Sequence, residues 1–138
     1  MKTVLRNVLA FVLGIIVASI LNMALVTLGP LVFPPPAGVN MSDATSLSSS
    51  VHLLEPRHFV FPFLAHALGT FAGAAIAYLV ASHRSVMAWV VGVFFLLGGI
   101  AACFMIRAPM WFVVVDLLFA YLPPAWLGAR VASRFVRS

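Results

Sequence analysis

Acidic residues are almost missing from this chain: Asp43, Glu55 and Asp116 are the only three, against eight lysines and arginines. Charged residues of both signs make up 8% of the sequence, where a soluble domain carries about 25%. That scarcity excludes an ordinary water-soluble domain. Cysteine occurs once, as Cys103. No internal disulfide framework can form, and the residue reads as a small apolar packing element. The net charge of +5 raises the question of nucleic acid. The cations, however, are scattered at the ends of apolar runs and form no stripe, so no nucleic-acid partner is expected. The expected surrounding is the lipid bilayer. The 138 residues leave room for one membrane domain spanning residues 1–138 and for no separate soluble one.

What the chain does have is long apolar runs. A spanning helix needs about 20 mostly apolar residues, and four segments qualify: about 4–28, 59–81, 86–106 and 109–127. The fold class is therefore all-α, a polytopic bundle of four transmembrane helices. The first run imitates a secretory signal, with Lys2 and Arg6 ahead of an apolar stretch that runs from Val8 to about Leu28 and a cleavage-like Ala18-Ser19 within it. Its apolar stretch outlasts the about 7–15 residues of a signal core, so a retained helix is expected. Gly29-Pro30 should end that helix. Pro109 suits a first helical turn, and Pro123-Pro124 should kink the fourth run near its end.

Orientation follows from the cations. Lys2, Arg6, Arg84, Arg130, Arg134 and Arg137 fall on the side of the termini, and Arg57 and Arg107 on the other. This favours both termini in the cytoplasm and the loop of about residues 30–58 outside. Within that loop a short surface helix is expected, with Ser42 as its N-cap and Asp43 in the first turn. Leu47, Val51 and Leu54 would give it one apolar edge. Asn40-Met41-Ser42 matches a glycosylation sequon. Arg130, Arg134 and Arg137 suit one helical face that meets anionic headgroups.

Small residues mark the packing faces. Ala65, Gly69, Gly73 and Ala77 recur in steps of four in the second span, Gly14 and Ala18 in the first, and Gly98 with Ala102 or Gly99 with Cys103 in the third. Such stripes let helix backbones approach closely. Internal packing is expected to use them, with a homo-oligomer or a membrane-protein partner as the alternative.

Polar residues inside the spans are fewer and say more. Asp116 is the one acidic residue within an apolar run, and charged groups at that depth usually face a partner, a cavity or a functional path. Asn22, His66 and Asp116 each lie about seven residues from the outer end of their spans, roughly 10 Å deep at the helical rise. They are expected to form one layer facing the bundle interior. Ser19 and Thr70 should lie just below it, and Glu55, Arg57 and His58 should form its polar roof. The tryptophans, with Tyr78 and Tyr121, read as interface anchors.

Three readings of the layer compete. It is an architectural hydrogen-bonded pair, or the lining of a cavity that passes a solute or protons, or, through His58, His66 and Asp116, a catalytic metal site. The last is disfavoured. His58 and His66 are eight apart, about 80° off one face, and no metal-binding spacing or nucleophile accompanies them. No cofactor, no metal and no enzymatic activity are expected. The expectation is a structural or accessory membrane protein, with a small solute or proton transporter or channel as the alternative.

The stretches FPFLAHALGTFAGAAIA, GVFFLLGGIAACFMI and PMWFVVVDLLFAYLPPAWLG resemble small uncharacterised bacterial membrane proteins of four-helix size. The resemblance implies a bacterial inner-membrane setting and no activity. The chain lacks the early membrane-embedded glutamate of small multidrug transporters, and it lacks the Gly- and Arg-rich pattern of fluoride channels.

Overall fold

The structure, a computed structural model, describes residues 1–136. Arg137, the last cation of the expected tail face, lies outside them. Six α-helices follow in order: α1 (Lys2–Val32), α2 (Ala44–Ser50), α3 (Val60–Val80), α4 (Arg84–Met105), α5 (Met110–Phe119) and α6 (Leu122–Val136). Short 3₁₀ turns at Val51–Leu53 and Pro56–Phe59 join α2 to α3. No strand occurs among the described residues. Four helical stretches are long and apolar enough to cross a membrane, with α5 and α6 together forming the fourth. The end that carries residues 33–59 is called the loop side below, and the other the terminal side.

The central helix is α3, which packs against α1, α4 and α6. Its stripe of small residues explains that position. Ala65, Gly69, Gly73 and Ala77 are all buried, and Gly14 and Ala18 of α1 are buried opposite them. At the closest crossing a Cβ on Gly73 would lie 2.6 Å from the Gly14 carbonyl oxygen and 2.8 Å from the Ala18 Cβ. A Cβ on Gly69 would lie 3.0 Å from the Ala18 carbonyl oxygen. The two backbones touch with no side chain between them, which is how apolar helices gain contact in lipid. On the far side of α3, Gly128 of α6 seats against the backbone of Phe71 and Ala75.

Of the two faces expected of the third span, that of Gly99 packs and that of Gly98 does not. Gly98 has open space around its α-carbon. The buried side of α4 is set by Ala88, Val91 and Gly92, with Gly99 against Tyr121. Gly92 and Gly99 are two turns apart and share a face, whereas Gly98 points about 100° away.

Helix ends also depart from expectation. The first helix runs through Gly29-Pro30 to Val32. Proline removes one helical hydrogen bond, and a single loss near a terminus is tolerated where neighbouring helices surround it. Ser42 does not cap α2. Its backbone N–H donates to Asn40 Oδ1 at 2.9 Å, and this local turn delays the helix by a residue. Asp43 becomes the N-cap and accepts from the Ser46 N–H at 2.7 Å.

On the terminal side, polar side chains of α1 clamp the α3–α4 turn. Arg6 Nε donates to the Val80 carbonyl at 2.6 Å. Asn7 Oδ1 accepts from the backbone N–H groups of Ser82 and His83, at 2.9 and 3.2 Å. Asn7→Ala should therefore lower stability by about 0.5–1.5 kcal/mol, and Asn7→Asp, which keeps the acceptor, should retain most of it. Thermal melting in detergent checks both. Equal melting of Asn7→Ala and the parent would mean that water replaces the clamp.

Candidate functional site

The fourth span builds the site by breaking. Pro123 and Pro124 have no N–H to give to the carbonyls of Phe119 and Ala120, so the helical ladder fails there. Helix α5 stops at Phe119, Ala120 sits at φ −92°, ψ −5°, and α6 starts at Leu122. In an unbroken helix Asp116 and Tyr121, five apart, would point about 140° away from each other. Across the break they meet, and Tyr121 Oη donates to Asp116 Oδ2 at 2.9 Å. Tyr121 is not the interface anchor expected of it: it is buried, at 2% exposure, with its ring end against Gly99.

His66 completes the cluster from α3. Its Nδ1 lies 2.8 and 3.0 Å from the two Asp116 carboxylate oxygens and 3.1 Å from Tyr121 Oη. The imidazole stacks on the Tyr121 ring at 5.6 Å between centroids. A carboxylate only accepts hydrogen bonds. With Tyr121 donating to one oxygen, His66 Nδ1–H donates to the other, and in its neutral form the ring then keeps a lone pair on Nε2. That nitrogen has no hydrogen-bond partner among the described residues. The imidazole side chain remains 29% exposed, while Asp116 is 6% exposed.

A partly open cavity of about 190 Å³ lies on the loop side of this cluster. His66 and Asp116 form its polar floor. Its wall is mostly apolar, with Phe33, Phe59, Phe112 and Val113 among the lining side chains, and Leu47 and Val51 close it from the loop. The expected apolar edge of the loop helix is thus turned onto the cavity, with Leu54 outside the lining. Cys103 also lines it.

The other expected layer residues fall elsewhere. Asn22 packs against Gly69 and makes no hydrogen bond to His66 or Asp116 among the described residues. Ser19 is exposed and borders a shallow outer groove with Ile20, Met23, Ala24 and Thr27. The α1 seam is narrow, centred on Gly14 and Ala18, and Ser19 lies about 100° round from Ala18. Thr70 is buried, and its hydroxyl has no partner among the described residues.

The roof residues split. Glu55 and Arg57 pair at 2.9 Å on the exposed surface. His58 is buried, with Nδ1 accepting from the Glu55 N–H at 2.9 Å and Nε2 donating to the Pro34 carbonyl at 3.1 Å. Both of its nitrogens are taken up by the loop, so of the two histidines in the lining only His66 keeps a free nitrogen. No group of three metal-ligating side chains occurs among the described residues.

No family model, no curated protein and no solved structure matches the chain. The site is read from its own geometry.

Proposed function

We propose that this is a non-enzymatic multi-pass membrane protein that takes a small solute into the loop-side cavity, as a transporter, channel or sensor, with His66 as the polar contact. The observation that carries the reading is the free Nε2 of an imidazole fixed by Asp116 and Tyr121 at the floor of a mostly apolar cavity. Binding cavities are largely apolar with a few placed polar groups, and intramembrane ionisable residues commonly mark solute paths.

The proposal includes an orientation with both termini in the cytoplasm of a bacterial cell and the chain in its inner membrane. Six cations against two support the orientation, and the resemblance supports the setting. A structural or accessory role is the second reading. It is favoured by the same hydrogen bonds, which tie α3 to the fourth span, and it would have the chain serve a partner protein or a second copy of itself.

Cys103 gives the test, since it lines the cavity and is the single cysteine. A small uncharged maleimide should label it in reconstituted vesicles. Val113→Trp, which fills the cavity with an indole, should slow labelling about tenfold or more. If the rate is unchanged, the thiol is reached through lipid, and the cavity is no route for solutes.

A further inference from the structure

The free imidazole nitrogen and the walls around it specify a ligand, on the premise that the cavity takes one. We propose that the loop-side cavity is a site for a monocyclic phenol, its ring among Phe33, Phe59 and Phe112 and its hydroxyl donated to His66 Nε2.

Size sets the first limit. A cavity of about 150 Å³ in a soluble protein holds benzene. The present one, at about 190 Å³, has room for one six-membered ring with a small substituent. The walls set the second. Phe59 and Phe112, both in the lining, stand 4.8 Å apart between centroids at 43°. An aromatic guest finds edge and face contacts there, which exceed simple area burial. An aliphatic alcohol of equal size would not gain them.

Hydrogen-bond direction sets the third limit. Asp116 accepts from both Tyr121 and His66, so in the neutral imidazole Nε2 is the acceptor and a guest bonded to it donates. His58, the other imidazole in the lining, cannot compete, because both of its nitrogens are bonded. A phenol donates strongly and carries no charge to be desolvated, so it reaches the site through water or lipid alike. A carboxylate anion would meet Asp116 at the floor and be repelled.

The test uses the full chain in lipid nanodiscs and fluorine NMR, with empty nanodiscs subtracted. Para-fluorophenol and para-fluoroanisole have nearly the same ring, and only the phenol can donate. The phenol should bind about three- to tenfold tighter, the range of one neutral hydrogen bond. His66→Leu should bring it down to the level of the ether, and Val113→Trp should abolish both. Should His66→Leu fail to fold, the ratio in the parent protein decides alone. Equal binding of phenol and ether overturns the phenol assignment and leaves the cavity as a solute site. Binding of neither overturns both.

Discussion

Gly73→Leu is expected to abolish the folded bundle, and Gly73→Ala to weaken it by about 1–3 kcal/mol, the usual range for overpacking. The atoms in the way are the Gly14 carbonyl oxygen at 2.6 Å and the Ala18 Cβ at 2.8 Å from an added Cβ. Neither is the end of a flexible side chain, so relief requires α1 to move away from α3. That movement would open the seam along Gly69, where the Ala18 carbonyl is also in contact. Because lipid tails are as apolar as the helices, nothing but close packing and a few polar contacts holds the seam together. Gly98→Leu is the control. Its α-carbon faces open space, and the change should fall within about 0.5 kcal/mol. Melting curves in one detergent compare the three variants with the parent. Similar melting for Gly73→Leu and Gly98→Leu would mean that the α1–α3 seam contributes nothing.

That pair of glycines also shows where the sequence is legible. Steps of four small residues identify a packing face when the stripe is long, as in Ala65-Gly69-Gly73-Ala77, because four members fix a direction on the helix. Two members do not. Gly98 with Ala102 and Gly99 with Cys103 fit equally well, and only Tyr121, arriving from another helix, selects the second pair. The four spans and the all-α class follow from composition and length, which a bilayer constrains severely. Helix ends are less legible. Pro30 sits inside α1, since surrounding structure tolerates one lost bond.

The site was legible in part. An acid in an apolar run and a histidine at matching depth are visible without coordinates, and their hydrogen bond is present at 2.8 Å. Asn22, at that depth, packs on α3 at Gly69 without a hydrogen bond to the pair, and Ser19, below it, turns outward. Depth comes from counting residues, whereas direction depends on which face α1 turns to α3. Tyr121 escaped for a different reason. Regular helical geometry sends it away from Asp116, and only the break upstream of Pro123-Pro124 turns it inward. The proline pair was the signal. Its consequence is a helix that ends before the prolines, because the carbonyls left without donors belong to the residues four earlier.

Asp116→Ala should destabilise the protein, and most of the loss should be recoverable by a second substitution, Tyr121→Phe. The carboxylate serves two donors, and their surroundings differ. The His66 ring is 29% exposed on the cavity, so water can serve its Nδ1–H once Asp116 is gone. The Tyr121 hydroxyl is buried at 2% exposure with its ring end against Gly99, and its other polar neighbour, His66 Nδ1 at 3.1 Å, accepts nothing while it carries the proton directed at Asp116. A buried donor left unpaired costs about 1–3 kcal/mol, and that single group dominates. Removing the hydroxyl as well should return most of this, leaving a coupling between the two sites of about 0.5–3 kcal/mol. Asp116→Asn keeps one acceptor oxygen and should lose less than Asp116→Ala. Polar contacts between membrane helices average only about 0.6 kcal/mol, so a loss near that value would indicate that the unfolded helices find other partners in lipid. The ranking also separates the two functional readings. An architectural pair requires Asp116→Asn to melt clearly below the parent. If it melts at or above the parent, the carboxylate is held at a cost to stability, as functional sites often are, and its retention is explained by the solute that His66 receives. A Tyr121→Phe substitution that recovers nothing in the Asp116→Ala background would show that the hydroxyl is not the group that suffers, and the account of the broken fourth span as the builder of this site would fall with it.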